Sequence, residues 1–252
     1  MFIGGDRMGD PYAGLAPLYD GMTRDPAIRV FYAEWRRALL HAVRERGLHP
    51  RVLVDLACGT GNSTVPWTRF RSWTVVGVDR SAAMLGQARA KSAKVRWYRQ
   101  EVTRLRIPER ADLVTCHFDA LNHVLGAADL RRVFANVENT LQPGGLFQFD
   151  LNTVHMLRWL DGREKLFQVG RHVFTASHAF HARTGVATFR QVWFVRTGRL
   201  YERRNVVVRE RAYADADLRV MLRRAGLRLL KVTVQRRIGR LPGRKLYLAV
   251  KP

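Results

Sequence analysis

A regular alternation of apolar and helical segments between residues 51 and 151 constrains the fold of this chain more than any other feature. Five apolar segments of strand length follow one another there: Arg51–Ala57, Trp73–Asp79, Val95–Arg99, Ala111–His117 and Gly145–Leu151. Helical stretches lie between them, one beginning at Ser81 and one over Asp129–Leu141. Strands joined by helices in this way form a parallel sheet with helices on both faces. The sequence therefore predicts an α/β, doubly wound fold.

The pattern changes after Thr153. Three strand-like runs separated by Thr-Gly turn signals follow: Val169–His181, Val186–Arg196 and Leu200–Arg211. This spacing predicts an antiparallel β-meander. A helix over Asp215–Ala225 and the strands Leu227–Arg236 and Leu246–Lys251 come next. The complete prediction is a mostly parallel seven-stranded sheet with the meander inserted after its fifth strand.

Positive charge is concentrated in the C-terminal part of the chain. The 252 residues include 44 Lys and Arg against 21 Asp and Glu, and the net charge is +23. Residues 1–150 carry a net +6 and residues 151–252 a net +17. This excess indicates either a polyanionic partner or the codon usage of a GC-rich genome, since 38 of the 44 basic residues are Arg. No run of five or more like charges forms a basic tail.

Cysteine content and hydropathy argue against several classes of protein. Two cysteines, Cys58 and Cys116, cannot form a disulfide framework, and neither stands at metal-ligand spacing. No apolar run approaches the ~20 residues of a membrane span, and the N-terminus lacks the apolar core of a signal peptide. The sequence therefore predicts a cytoplasmic protein without a metal site and without membrane association.

The segment Val52–Asn62 carries the clearest binding signal. An apolar strand ends near Asp55 and leads into a Gly-Thr-Gly turn at 59–61, where the missing side chains let a ligand approach the backbone at a helix N-terminus. Asp79 ends the next strand 20 residues after the first of these glycines, where an acid can accept hydrogen bonds from a ribose diol. Position 64 is Thr rather than the third glycine of the dinucleotide fingerprint. A pyrophosphate-binding dehydrogenase is therefore disfavoured.

Several motifs resemble those of one enzyme family. Asp55–Gly61 resembles motif I of the class I S-adenosylmethionine-dependent methyltransferases, with Asp79 at their ribose-binding acidic position. Glu101 is similar to the loop residue that meets the adenine amino group, although the family more often has Asp there. Ala111–Asp119 resembles motif IV, and Leu141–Gly145 resembles the turn before the fifth strand. The motifs follow the family's order, which implies a Rossmann-like core.

The resemblance implies S-adenosylmethionine as the cofactor and assigns its contacts. Asp55 and the glycine turn are expected to hold the ammonium and carboxylate ends of the cofactor, and Asp79 its ribose. Met84 and Val102 are expected to pack against the adenosine. The complete set of expected cofactor-binding residues is Tyr12, Asp55, Ala57, Gly59, Gly61, Asn62, Asp79, Arg80, Met84, Glu101, Val102 and His117.

Two segments outside these motifs resemble those of family members that methylate small molecules. The leader Pro11–Met22, which carries Tyr12 and Tyr19, resembles a lid over the cofactor. Phe118–His123 resembles the segment that faces the transferred methyl group. Together with the inserted meander, this arrangement is similar to glycine-type and nucleotide-sugar N-methyltransferases. In those enzymes the inserted sheet roofs the acceptor pocket and can mediate contacts between subunits.

The resemblance divides the chain into four parts. Residues 1–48 hold the lid and an amphipathic helix over Asp25–Arg46, and residues 49–160 form the cofactor-binding core. Residues 161–213 form the inserted sheet, as a roof for the acceptor or a contact between subunits. Residues 214–252 supply the closing helix and the last two strands. A homodimer is one expectation of this arrangement.

Candidate catalytic residues follow from the chemistry of methyl transfer. Because the reaction is an in-line displacement at carbon, alignment of the acceptor lone pair supplies much of the catalysis. A hydroxyl acceptor usually needs a base, whereas an amine needs only to be neutral. His123 is the expected base or orienting residue, with Tyr19 and Asp119 as further catalytic candidates, Tyr12 nearby and His155 as a second choice. The alternative interpretation of His123 is a helix-face histidine bonded to the backbone.

Three functions are compatible with these features. The leading one is methylation of a small-molecule acceptor, an amine before a hydroxyl. The second is an RNA or protein methyltransferase that docks through the Arg-rich C-terminal half. No Asn-Pro-Pro-Tyr or Asp-Pro-Pro-Tyr follows the fourth strand, and Cys116 is not preceded by Pro, which argues against a nucleic-acid acceptor. The third is a cofactor-binding protein without catalytic activity.

The arginines of the meander allow two interpretations. Strand alternation brings Arg190 and Arg196 to one face of their strand, and Arg203, Arg209 and Arg211 to one face of the next. This surface either guides an anionic acceptor to the site or is a solvated outer face.

Overall fold

The computed structural model describes residues 10, 12–23, 26–235 and 242–252. Its helices and strands in chain order are α1 (Ala16–Thr23), α2 (Pro26–Glu45), β1 (Val52–Leu56), β2 (Thr74–Asp79), α3 (Ala82–Lys91), β3 (Val95–Arg99), β4 (Ala111–Cys116), α4 (Ala127–Thr140), β5 (Leu141–Leu151), α5 (Val154–Leu160), β6 (Glu164–Val169), β7 (His172–His181), β8 (Val186–Thr197), β9 (Leu200–Arg211), α6 (Asp215–Arg224), β10 (Arg228–Val234) and β11 (Lys245–Val250). Short 3₁₀ turns cover Val65–Arg69, Val102–Arg104 and Ala120–His123.

The larger sheet has seven strands in the order β10-β11-β5-β4-β1-β2-β3. Strands β1 to β5 are parallel, and β11 pairs antiparallel with β5. The chain builds outward from β1 to β3 and then crosses back to β4 beside β1. Ligands of doubly wound sheets bind where the strand order reverses, at the carboxyl ends of the strands. The predicted fold class is confirmed, and the site is expected above β1 and β4.

Helices cover both faces of this sheet and bury its central strands. Residues of β1, β4 and β5 such as Val54, Val114 and Phe147 have no exposed surface. Helix α3 begins where Ser81 Oγ accepts a hydrogen bond from the backbone N–H of Met84, as its position before the apolar residues predicts. This rigid layer holds the loops that follow the strands in place.

The inserted sheet has four antiparallel strands in the order β6-β7-β8-β9. The prediction of three strands beginning at Val169 was wrong in its first part, because Gly170 has a φ of +58° and closes a hairpin between β6 and β7. The seven-residue helix α5, capped by Thr153 Oγ1, was also missed, since so short a segment shows little periodicity. Both corrections concern the inserted sheet and the helix that precedes it.

The two faces of the inserted sheet differ because its side chains alternate. The inner face is apolar, and Trp193, Val206 and Val208 pack there against Leu15 of the leader. The register pairs Arg190 with Val207 and Phe194 with Arg203, so Arg190, Arg196, Arg203 and Arg209 lie on the opposite, outer face. Arg211, at the end of β9, donates instead to the Leu125 carbonyl. The idea that the arginines of the outer face guide an acceptor into the site is therefore corrected, because the sheet separates those four from it.

The leader is pinned over the loop that follows β1. Asp20 of α1 accepts hydrogen bonds from Thr60 Oγ1 at 2.6 Å and Asn62 Nδ2 at 3.0 Å. Lys91 Nζ, at the end of α3, lies 2.6 Å from the second Asp20 oxygen. Burial acts against the charged form of Asp20, but the bonds from Lys91 and Thr60 lower its pKa below the usual range.

Within the described residues, no helix is long and apolar enough to cross a bilayer.

Candidate active site

Unusual backbone conformations cluster where β1 and β4 end. Ala57, Phe118 and Asp119 have left-handed φ angles of 51°, 59° and 49°, and Gly59 has a φ of 56°. A non-glycine residue in the left-handed conformation destabilises the fold, and packing in the surrounding structure must offset that cost. The strain turns both loops sharply away from the strands and opens a crevice above the sheet.

A cavity of about 160 Å³ occupies this crevice. Nine of the twelve predicted cofactor-binding residues line it: Tyr12, Ala57, Gly59, Asp79, Arg80, Met84, Glu101, Val102 and His117. Two predicted catalytic residues, Tyr19 and His123, also line it. The other lining residues are Asp10, Ser81, Gln100, Phe118, Ala120 and Val124, of which Phe118 and Ala120 belong to the segment expected to face the methyl group. We call this space the cofactor cavity.

Asp79 is the acidic centre of the cofactor cavity. Its two carboxylate oxygens accept backbone hydrogen bonds from Gly59 and Ser81, each at 2.8 Å. Burial raises the pKa of Asp79, and these two bonds partly offset that shift. Each oxygen keeps a further lone pair for a ligand hydroxyl. The bonds also fix the loops after β1 and β2 relative to one another.

An exposed ion pair and a buried histidine line other parts of the cofactor cavity. Arg80 Nη1 lies 3.7 Å from Glu101 Oε2 at the more exposed end. His117 is deeply buried, stacks on Trp35 with ring centroids 4.7 Å apart, and shares a hydrogen bond with Gln148 at 3.0 Å. Burial lowers the pKa of His117 to about 4, so the ring is neutral at physiological pH.

Three predicted cofactor-binding residues are not brought to the cofactor cavity. Asp55 is 1% exposed, and its carboxylate accepts hydrogen bonds from Ser63, Thr64 and Thr115 hydroxyls, at 2.6–2.7 Å. Asn62 bonds instead to the leader and to α3. A Cβ on Gly61 would lie 2.7 Å from the Trp97 ring, so this glycine serves packing.

A second chamber of about 150 Å³ lies beyond the cofactor cavity, between the leader and the inner face of the inserted sheet. Tyr12 and Tyr19 line both spaces and form the wall between them. The other lining residues are Leu15, Met22, Asp119, Phe189, Gln191, Val208 and Glu210. No Lys or Arg lies among these lining residues, all of which belong to the described part of the chain. We call this space the acceptor chamber.

His123 lies at the junction of the two spaces. Its Nδ1 is 3.1 Å from the backbone carbonyl of Arg209, which can only accept, so Nδ1 carries the proton. Nε2 lies 3.3 Å from the Tyr12 hydroxyl and 3.9 Å from Asp119 Oδ2. Burial raises the pKa of Tyr12, which keeps its hydroxyl a donor. Nε2 of His123 therefore accepts a hydrogen bond from the Tyr12 hydroxyl at the junction.

The sequence, the folded site and its relatives agree on one family. Residues 53–145 match the family model described as "Methyltransferase domain". The Bacillus subtilis (strain 168) protein YqeM, whose name describes it as a methyltransferase, is 25% identical to this chain over 228 residues, covering 88% of each chain. An S-adenosylmethionine-dependent methyltransferase from Clostridium acetobutylicum ATCC 824 superposes with a TM-score of 0.80 at 27% identity, covering 96% of this chain and 99% of that one.

The chain is an S-adenosylmethionine-dependent methyltransferase with the Rossmann-like fold of class I.

A third similarity concerns the fold. CalS10, an amino pentose methyltransferase from Micromonospora echinaspora solved with S-adenosylmethionine bound, superposes with a TM-score of 0.73 at 20% identity, covering 99% of this chain and 100% of that one. The cofactor of the methyltransferase described here is S-adenosylmethionine. The cofactor cavity fits that group: the point where a Cβ of Gly59 would lie has no atom within 4 Å, so a ligand can lie against the backbone.

Carboxylates dominate the polar end of the acceptor chamber of this methyltransferase. Asp119 and Glu210 line it, and Asp150 lies behind them with no exposed surface. Arg244 pairs with Asp119 and lies 3.2 Å from Asp150. Burial raises the pKa of Glu210 and of Asp150, and lowers the pKa of Arg244 to about 10. Asp119 and Asp150 thus share one guanidinium, whereas Glu210 accepts a hydrogen bond from Asn152.

Two buried asparagines hold this end of the chamber together. Asn122 Nδ2 donates to the carbonyls of Asn152 and Arg211, and Asn122 Oδ1 accepts from the backbone of Asn152. Asn152 in turn donates to Glu210 Oε2 at 2.7 Å and accepts from Arg244 Nε at 2.8 Å. The turn after β4, the end of β5 and strand β9 are therefore fixed to one another.

The sequence did not single out Glu210 and Arg244. A usable signal for Glu210 existed, because it occupies an inward position of β9 after the apolar Val206 and Val208. The ligand atoms of Asp119, His123 and Glu210 lie within 4.8 Å of one another, close enough to share a cation. His155, the second-choice base, is exposed on α5 and lines neither space.

Proposed function

We propose that this methyltransferase transfers a methyl group to the nitrogen of a small amine held in the acceptor chamber. One observation carries the proposal: Asp119 and Glu210 line the chamber beside His123 Nε2, without a lining Lys or Arg among the described residues. Burial raises the pKa of Glu210, and a buried carboxylate of this kind gains free energy when a cation binds next to it. The chamber therefore favours an ammonium over an anion.

The cofactor cavity positions the methyl donor. We assign Asp79 to the ribose hydroxyls, Glu101 to the adenine amino group, and Met84 and Val102 to packing against the adenosine. These assignments are supported by their common lining of the cavity and by the lone pairs that Asp79 keeps. Asp55 has a structural role beneath the cavity, since its bonds from Ser63 and Thr64 hold the segment of the glycine turn and its bond from Thr115 fixes that segment to β4.

When bound, S-adenosylmethionine supplies a methyl group on a sulfonium, which an acceptor lone pair displaces in line. Tyr12 and Tyr19 stand at the boundary where this transfer would occur and restrict the approach of the acceptor. Correct alignment of two reacting groups is worth up to ~7–11 kcal/mol. The burial of both tyrosines also keeps bulk water from the reacting atoms.

His123 receives the proton that the amine must lose. Its Nε2 accepts this proton in place of the hydrogen bond from the Tyr12 hydroxyl, while the Arg209 carbonyl retains the hydrogen bond from Nδ1. Asp119, 3.9 Å from Nε2, stabilises the resulting imidazolium. The backbone bond that the alternative interpretation foresaw is therefore present, and it orients the ring for catalysis.

The acceptor is a compact amine that also has an apolar surface. The chamber has an apolar lining opposite the carboxylates, formed by Leu15, Met22, Phe189 and Val208. A free amino sugar has this combination, and the fold shared with the amino pentose methyltransferase CalS10 supports it. Residues 161–213 act as the roof of the chamber, and the two buried, unpaired cysteines fit a reducing cytoplasm.

The test is a panel of acceptors incubated with the enzyme and S-adenosylmethionine. Amino sugars and simple amines should yield S-adenosylhomocysteine and products one methyl group heavier, at rates that rise with pH as the amine loses its proton. Matched hydroxyl and carboxylate analogues should give only background. Turnover confined to hydroxyl or carboxylate analogues would overturn the amine assignment, and cofactor binding without any turnover would favour a non-catalytic role.

A further inference from the structure

The outer face of the inserted sheet is chemically distinct from the rest of the molecule. It is the face turned away from the acceptor chamber, and the β8–β9 register defines its rows of side chains. From the hairpin end these rows are Arg196 with Tyr201, Phe194 with Arg203, Val192 with Asn205, Arg190 with Val207, and Thr188 with Arg209. No acidic residue lies on this face of β8 or β9.

Aromatic side chains lie between the arginines in the first two rows. Tyr201 is 54% exposed and Phe194 is 40% exposed, although apolar rings of this size are usually buried. Each ring lies directly opposite an arginine on the neighbouring strand. The rings of Tyr201 and Phe194 lie diagonally opposite each other on β9 and β8. Two planar ligand groups could therefore stack on them, one on each ring.

The arginines are spaced along the strands. Side chains on one face of a strand recur about every 7 Å, so the six-residue separations of Arg190 from Arg196 and of Arg203 from Arg209 are each about 20 Å. The four arginines alternate between β8 and β9 along this length. A chain of repeated negative charges matches this pattern better than a single compact anion does.

We propose that the outer face of β8 and β9 binds single-stranded RNA. Bases stack on Tyr201 and Phe194, and phosphates pair with Arg196, Arg203 and Arg190, as in other proteins that present aromatic and basic residues on an antiparallel sheet. Asn205, between these rows, can bond a 2′-hydroxyl. The sheet separates this surface from the methyl group, so the RNA is a docking partner and not the acceptor.

The experiment measures binding of a fluorescein-labelled 15-nucleotide RNA of mixed sequence by anisotropy. At physiological salt the wild-type enzyme should bind with a Kd of about 1–100 µM. Replacing both rings, Phe194→Ala with Tyr201→Ala, should weaken binding at least about five-fold. Replacing both nearby cations, Arg196→Gln with Arg203→Gln, should lower the slope of log K against log salt by about 1.4, since each phosphate contact on a single strand contributes about 0.7.

The matched control removes the same charge from a distant surface. Arg104→Gln with Arg131→Gln alters exposed arginines near α4 and should leave the affinity unchanged. If the aromatic pair proves unstable by thermal unfolding, Phe194→Leu with Tyr201→Leu keeps apolar area without the rings and should show the same loss. Activity on small amines should stay at the wild-type level in all these variants.

Four outcomes would overturn the proposal. The first is an equal loss of affinity in the Arg104 and Arg131 control, which would mean general attraction to a basic protein. The second is equally tight binding of duplex RNA or polyglutamate that is insensitive to the ring substitutions, which would point to an acidic protein partner. The third is a wild-type dimer that dissociates when the rings are replaced, which would assign the face to a second copy. The fourth is an absence of binding.

Discussion

The cofactor cavity and the acceptor chamber are built in different ways. The cofactor cavity draws most of its lining from loops that follow β1, β2, β3 and β4, which are neighbours in one parallel sheet. The acceptor chamber takes its lining from the leader, from the turn after β4 and from the inserted sheet. A site made by successive strand ends follows from the fold, whereas a site made by distant segments depends on how those segments pack. The two spaces should therefore respond separately to mutation.

The largest expected effect concerns the junction. His123→Ala removes the proton acceptor and should lower kcat at least about 100-fold, because general base catalysis contributes that much or more. The Kd for S-adenosylhomocysteine, measured by titration calorimetry, should change less than two-fold. His155→Ala is the control, since His155 is exposed and lines neither space, and it should retain full activity. Equal losses in both variants would contradict the assignment.

Asp79→Ala should act on the cofactor cavity alone. Hydrogen bonds to a charged group contribute about 1.5–3 kcal/mol each, so the Kd for S-adenosylhomocysteine should rise about 10- to 100-fold. Asp112→Ala is a matched control. Asp112 also accepts two backbone N–H bonds, from Arg51 and Val52, but at the opposite edge of the sheet. A comparable loss of cofactor affinity in Asp112→Ala would show that the effect is structural.

Glu210→Gln should act on the acceptor chamber alone. Loss of the carboxylate should raise KM for an amine acceptor about ten-fold while the cofactor Kd stays constant. Steady-state kinetics with saturating cofactor measure this change. An unchanged KM would show that the Glu210 carboxylate does not contribute to acceptor binding.

The same variant has a predictable effect on stability against pH. Burial raises the pKa of Glu210, so the native state binds the proton more tightly than the unfolded chain. Wild-type stability therefore falls as the pH rises from the unfolded value of about 4.3 through the native one. Glu210→Gln lacks this loss, so its melting temperature relative to wild type should rise between pH 4 and pH 8. A constant difference across that range would contradict the burial argument.

The smallest effect is expected at the wall between the two spaces. Tyr12→Phe removes one hydrogen bond to His123 Nε2 and should lower kcat/KM about two- to ten-fold, since a single hydrogen bond contributes about 0.5–1.5 kcal/mol. Tyr98→Phe is the control because it loses a hydrogen bond to Glu109 away from both spaces. The two variants differ in activity if Tyr12 orients the histidine.

The cofactor cavity could largely be predicted from the sequence because its determinants are local. The strand pattern places Gly59, Asp79 and Glu101 at one sheet edge, and all three line the cavity. Asp55 was an exception. Its partner Thr115 lies beside it on β4, and the sequence does not show that this hydroxyl and two others already satisfy the carboxylate.

The acceptor chamber could be predicted only in part. Tyr12, Tyr19 and Asp119 were expected near one another from the resemblance, and the chamber contains all three. Glu210 on β9 and Arg244, just before β11, lie far along the chain, and no spacing rule links them to His123. The inserted sheet followed the expected alternation, but the hairpin at Gly170 and the short helix α5 depend on tertiary contacts.

The central claim is that the cofactor cavity and the acceptor chamber meet at His123. A crystal structure of the enzyme with S-adenosylhomocysteine and an amino sugar tests it most directly. The account predicts the adenosine beside Asp79 and the amine nitrogen between Glu210 and His123 Nε2, facing the cofactor sulfur. An amine bound outside the acceptor chamber, or one whose nitrogen points away from His123, would contradict it.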